Sequence, residues 1–245
     1  MSDWPLPSAI FEDRQVMVIL KPPGWLAQAD GSERPDVLDW AKNEIRLSRP
    51  DCLRPYVGLC HRLDRLAAGL MVLAKTSKAA GRISRQFRER TVTKTYLALV
   101  GGQPKFPGPE EEGELLEQTL FRDGRLTKVR TDSAARPEET RCAIRCSRLK
   151  SGRVGEHQAT LLKVDLLTGF KHQIRCQLAS AGHPIVGDRL YGSPVESLER
   201  NIPGSDREWG IGLFAVSLTF KHPISGQEEI FEADPAPFWP WNVFK

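Results

Sequence analysis

Two short segments of this 245-residue chain concentrate the side chains that can do chemistry. In the first, His61-Arg62-Leu63-Asp64-Arg65, a carboxylate lies between two guanidiniums just before an apolar run, where a loop enters a strand and side chains can be presented to a cleft. Residue type alone favours a plainer description: a surface carboxylate paired with neighbouring arginines, and a packed or capping histidine. The second segment, Thr168-Gly169-Phe170-Lys171-His172-Gln173-Ile174-Arg175, ends a strand at a glycine and opens a helix with Lys, His, Gln and Arg in its first turns. Such a helix start suits an anion, through its N–H groups and its dipole, and equally suits a solvated terminus.

The elements that must position these segments follow from local patterns. Residues 15–21 (QVMVILK) read as a buried strand stopped at Pro22-Pro23-Gly24, because proline removes a ladder donor and glycine permits the turn. Residues 36–46 carry Val37, Leu38, Ala41 and Ile45 near helical spacing, with Asp36 as N-cap. Residues 69–75 (GLMVLAK) form the next strand. Ser77 is placed to cap a helix reaching about residue 90, with Ala79, Ala80, Ile83 and Phe87 as its apolar stripe. Residues 93–101 (TKTYLALVG) read as a strand, 103–113 as an exposed loop, and 115–167 as a strand meander that includes 140–149 and 158–167, with a polar turn over 150–155. A helix over 171–181 ends at Gly182, and strands over 213–220 and 228–231 precede an aromatic tail. Strands and helices mix without a strict βαβ rhythm, which predicts an α+β fold.

Composition narrows the classes. The chain is 40% hydrophobic and 27% charged, as in ordinary globular proteins. Its longest aliphatic runs fall far short of the ~20 residues of a membrane span. The first residues lack a basic stretch followed by an apolar one, so no secretory or transit signal is evident. Five scattered cysteines (52, 60, 142, 146, 176) without a CxxC pair predict reduced thiols in a cytoplasmic protein, and support neither a disulfide framework nor a zinc site. The formal charge of +4 is mild. Its distribution is not: residues 45–94 hold twelve Lys or Arg against three acids, and residues 121–154 hold ten against four. On the helix after Ser77, Lys78, Arg82 and Arg85 fall at i, i+4 and i+7 on one face. Each charge taken singly reads as surface solvation, whereas the clusters predict a surface for a nucleic-acid backbone.

The blocks LKPPGWLAQ, HRLDRLAAGLMVLAKT, KTYLALVGG and LLTGFKHQIRCQLASAGHPIVGDRLYG resemble, in order and rough spacing, the signature segments of the RluA-type family of RNA pseudouridine synthases. The resemblance covers about residues 10–231. Four ordered blocks are more specific than any single motif, and no P-loop, GxSxG, HExxH or GxGxxG sequence supports another enzyme class. The resemblance implies a mixed, largely antiparallel sheet with flanking helices and a central catalytic cleft. It also implies isomerisation of uridine in structured RNA, tRNA or rRNA, without a cofactor: the bond from ribose C1′ to uracil N1 is cut, the base turns, and C5 is joined instead. By the same resemblance Asp64 is the catalytic aspartate, a nucleophile at C1′ or a base at C2′. Arg175 pairs with it, and Tyr96 stacks on the base and takes part in removing the C5 proton. Leu63 and Ile174 line the base pocket. Arg62, with Arg65 beside it, reaches into the RNA to expose the target, as a stacked base cannot react. Lys94, Lys171, His172 and Gln173 are implied phosphate or ribose contacts, and Arg82 and Arg85 the expected backbone contacts.

Two departures stand out. Leu66-Ala67-Ala68-Gly69 keeps the family's glycine but lacks the Thr-Ser pair before it, and TGF replaces the common TGR. They motivate an alternative, a non-catalytic RNA-binding or RNA-folding protein on the same scaffold. A more distant one is a metal-dependent phosphodiesterase using His61, Asp64, His172, His183 and Asp188, although their spacing is not compact. With no clean linker, a single catalytic domain over 1–245 without a separate N-terminal RNA-binding module is expected, with a monomer as the default.

Overall fold

The computed structural model describes residues 5–131, 139–194, 210–238 and 240–245. The fold is α+β, with three α-helices and largely antiparallel strands among the described residues. Two compact units are distinguished, Met1–Thr93 with Ala215–Asp234, and Lys94–Phe214 with Pro235–Lys245.

In the first unit, β1 (Ser8–Glu12), β2 (Val16–Lys21), β3 (Gly58–Leu59) and β4 (Ala68–Ala74) pair antiparallel, with Val16 opposite Ala74 and Lys21 opposite Gly69. All seven residues of β4 are buried, which explains its continuous apolar run. α1 (Val37–Ser48) starts as expected, the Asp36 carboxylate accepting the Asp39 N–H at 3.1 Å. α2 (Ser77–Arg88) is capped by Thr76, whose hydroxyl accepts the Ala79 N–H at 3.2 Å, and not by Ser77. Val16, Val18, Leu70, Val72, Ile83 and Val92 form a core with Leu218 and Phe220 of β10 (Leu213–Lys221), itself paired to β11 (Glu228–Glu232). Gly69 has φ +121, and a Cβ there would stand 2.4 Å from the Ala215 N, so the glycine retained in the motif is demanded by close backbone approach.

In the second unit, β5 (Thr93–Gly101), β9 (His157–Leu166), β8 (Thr140–Val154), β6 (Glu114–Asp123) and β7 (Leu126–Val129) pair antiparallel in that spatial order. β8 runs five residues beyond its expected end. A register shift between Arg148 and Lys150 absorbs one residue and lets pairing continue to Val154 opposite His157, which confines the turn to Gly155-Glu156. The 103–113 loop is exposed in its acidic part but buries Pro104 and Phe106. α3 (Gln173–Ser180) starts two residues later than its composition predicts, because His172 is left-handed (φ 55, ψ 22). Its residues 173–178 are all buried, and Gly182 (φ +85) closes it. Among the described residues no helix is long and apolar enough to cross a membrane. None of the five cysteines is in a disulfide, and burial raises the thiols of Cys60 and Cys176 to about 11 and that of Cys146 to about 12.

Candidate active site

The HRLD segment joins β3 to β4. Its histidine is structural: His61 Nε2 accepts the Val72 N–H at 3.1 Å, and its ring stacks on Phe87 of α2 at 4.4 Å. Leu63 is buried, Asp64 half-buried and Arg62 exposed. Asp64 also accepts the Ala67 N–H on its carbonyl at 3.1 Å, and the Arg65 carbonyl accepts the Gly24 N–H at 2.8 Å. These backbone bonds close the turn without the missing Thr-Ser hydroxyls. Ala67 and Ala68 sit in the core, where a hydroxyl would need a buried partner.

Sequence reasoning missed the residue beneath this turn. Lys21 closes β2 and is fully buried, its Nζ donating to the carbonyls of Pro22 (2.9 Å), Trp25 (3.1 Å) and Arg65 (3.2 Å). Burial pushes its pKa down to about 7; the Asp64 carboxylate opposes that shift, and Arg65 adds to it. The available signal was a lysine ending an apolar strand just before a Pro-Pro-Gly turn. Its aliphatic stem continues the buried strand while its head ties the two loops together.

In the second unit, Tyr96 on β5 pairs with Val164 and is 6% exposed, and Lys94 lies two residues before it. The Lys94 Nζ stands 3.9 Å from where a Cβ on Gly169 would lie, so the 168–175 segment and the start of β5 adjoin. That segment is tied by Gln173, which is 3% exposed. Its side-chain amide donates to Gln177 Oε1 (3.0 Å) and the Ala143 carbonyl (3.1 Å), and its oxygen accepts the Phe170 N–H (3.0 Å) and the Thr168 hydroxyl (3.0 Å). Gln173 thus uses its polar atoms inside the fold, in support of this loop. Phe170 explains TGF in place of TGR: it packs against Leu120, Cys142 and Cys176. Lys171 is exposed and His172 half-buried, its Nδ1 3.1 Å from the Tyr191 hydroxyl. Ile174 and Arg175 are buried on α3.

Arg175 meets Asp188 in a fork, Nε to Oδ2 at 2.6 Å and an Nη to Oδ1 at 2.8 Å. Its guanidinium carbon lies 5.1 Å from the Tyr191 ring centre. On α2, Lys78, Arg82, Arg85 and Arg88 are all exposed, although Arg82 also donates to the Pro223 carbonyl. Arg65 is half-buried. The residues of the metal alternative have other partners here: His61 holds a backbone N–H, His172 meets Tyr191, and Asp188 holds Arg175. Among the described residues no three His, Cys, Asp or Glu side chains gather as a metal site.

Comparison with known proteins gives a consistent picture. Residues 15–180 match a family model described as RNA pseudouridylate synthase. The chain is 33% identical over 224 residues to ribosomal large subunit pseudouridine synthase C of Haemophilus influenzae, covering 91% of this chain and 64% of that protein. It is also 33% identical over 238 residues to ribosomal large subunit pseudouridine synthase D of Vibrio parahaemolyticus, covering 93% and 66%. The chain thus spans 64% and 66% of the length of these two relatives. Among solved structures, human RNA pseudouridylate synthase domain containing 4 superposes with a TM-score of 0.69 at 21% identity, over 92% of this chain and 87% of that one. The human domain containing 1 gives 0.67 at 22%, over 94% and 84%. At that identity they speak for the fold.

Proposed function

The chain belongs to the RNA pseudouridylate synthase family, and from that premise we propose that it isomerises specific uridines of a structured RNA to pseudouridine. The observation that carries the reading is Asp64 itself, half-buried on a turn whose backbone is held by the buried Lys21 ammonium and by Gly24. A side chain on so constrained a turn is aimed before substrate arrives, and preorganisation of that kind is where much of an enzyme's rate originates.

Asp64 acts on the ribose, either attacking C1′ or taking the C2′ proton. The C1′–N1 bond breaks, the uracil turns, C5 bonds to C1′, and the C5 proton is lost while N1 regains one, so the atoms of the nucleotide balance. Tyr96 stacks on the base and assists removal of the C5 proton. Arg175 supplies the guanidinium that works with the aspartate, and Leu63 and Ile174 shape the apolar contact to the base. Arg62, exposed beside Asp64, enters the RNA to hold the extruded nucleotide out of its stack. Arg65, Lys94, Lys171 and His172 bind phosphate or ribose, and the α2 face with Arg82 and Arg85 binds the backbone. The names of the relatives favour large-subunit ribosomal RNA over tRNA as substrate, and the cytoplasm is the compartment that goes with this reading.

RNA labelled with tritium at uracil C5 tests this directly. Isomerisation releases the label to water, and Asp64→Asn abolishes the release while RNA affinity stays close to that of the unmodified protein. Absence of release from any cellular RNA would leave the RNA-binding alternative; near-normal turnover by the Asn variant would remove Asp64 from the chemistry.

A further inference from the structure

Arg175 is one of the most confined charges in the molecule. Its side chain is 4% exposed and that of Asp188 is 1%. Burying a guanidinium in this way is costly unless a counter-charge with matching geometry compensates, and a carboxylate accepting two parallel N–H bonds is the best such match. The fork engages Nε and one Nη nitrogen, two of the five guanidinium donors, and the Tyr191 ring covers the plane. One edge and one face of the guanidinium are therefore held by Asp188 and Tyr191.

The two partners are themselves anchored. The Asp188 N–H donates to the Ile185 carbonyl at 3.0 Å, and its own carbonyl accepts the N–H groups of Tyr191 (3.2 Å) and Ser193 (3.0 Å), a turn followed by Gly192 at φ +83. The Tyr191 hydroxyl accepts the Thr127 N–H at 2.9 Å, and the Thr127 hydroxyl donates to the Lys171 carbonyl at 2.6 Å. One cluster thus clamps Arg175 and also secures the 171–172 turn that starts α3.

We propose that Asp188 is a positioning residue of the isomerisation site: with the Tyr191 ring behind it, its carboxylate fixes the edge and plane in which the Arg175 guanidinium is held. This rests on the functional reading above only for what Arg175 then does; the clamping itself does not depend on it. A carboxylate serving fold stability alone would alter melting when removed but would leave turnover of the folded enzyme intact.

The test uses the full chain with 15N at all three arginine side-chain nitrogens, the Arg175 resonances being assigned with Arg175→Lys. In the unmodified protein that guanidinium gives a protected Hε and separately resolved Hη protons, the signature of slow rotation. Asp188→Asn is expected to average the Hη signals and to lower kcat for tritium release by about 100-fold, with the RNA dissociation constant unchanged. Asp188→Glu, which restores the charge, is expected to recover part of kcat. An Arg175 resonance that stays restrained in the Asn variant, or a normal kcat once it is released, overturns the proposal. Should Asp188→Asn not fold, Asp188→Glu carries both readouts: reduced kcat at unchanged affinity supports the proposal, and normal values of both overturn it. If the unmodified chain releases no tritium from any RNA, the functional reading falls, and the resonance still decides whether Asp188 clamps Arg175.

Discussion

In each unit a buried cation lies beside residues proposed for the chemistry, and the two are solved by opposite chemistry. In the first, the Lys21 ammonium is met by three backbone carbonyls, one for each N–H. In the second, the Arg175 guanidinium is met by the charged fork of Asp188. Carbonyls are neutral, so they satisfy hydrogen bonds without returning the lost hydration of the charge, and Lys21 falls to about 7. A guanidinium cannot shed its proton near neutral pH and has to be given a counter-charge. A lysine can thus serve as a tie whose charge is adjustable, whereas an arginine serves as a fixed charge whose direction is the variable.

The comparison can be broken most severely at Asp64. Asp64→Asn is expected to eliminate tritium release, and because the carboxylate holds the Lys21 charge up, it should also move the Lys21 pKa further below about 7, as read by NMR of the Lys21 ammonium. A Lys21 that titrates as before would detach the two groups from one another. Next in size is Asp188→Ala, which leaves a buried guanidinium without its partner and should cost about 3–5 kcal/mol in urea unfolding. A loss below about 1 kcal/mol, the level of an exposed pair, would place Arg175 in solvent.

Lys21→Met sharpens the other half. Between about 7 and 10.5 the unfolded chain binds this proton more tightly than the folded one, so stability attributable to Lys21 rises with pH across that window and is lost as pH falls through about 7. The methionine variant should flatten that rise, which one such proton limits to about 1.4 kcal/mol per pH unit. An unchanged slope would mean that the ammonium stays charged against its carbonyls throughout. The smallest effect is expected at Arg85→Ala on α2, which should weaken RNA binding and lower the salt slope by about one ion while leaving kcat unchanged. Arg82→Ala should do the same and also lose the bond to Pro223. Salt slopes that do not move would put the RNA on another face.

What could be read without the fold were features carried by contiguous residues: the apolar run of β4, the Asp36 cap of α1, the basic face of α2, and the ordered blocks that contain Asp64, Tyr96 and Arg175. The exposed strand β1 escaped notice because SAIFE has no burial pattern of its own and exists through pairing with β2. Thr76 and Ser77 are adjacent hydroxyl residues, and only the extended backbone of Thr76 made it the cap.

The site divides along the same line. Residue type and order determined which side chains were available for chemistry, since the kind of group a residue carries is set by its identity. Tertiary structure alone decided which of them face water and which spend their polar atoms inside. It tied Gln173 into a buried hydrogen-bond knot, made a strand-end lysine the support of the Asp64 turn, and gave Arg175 a partner thirteen residues along the chain. Burial and hydrogen-bond geometry depend on what the rest of the chain packs against each group, and no local pattern of residues contains that information.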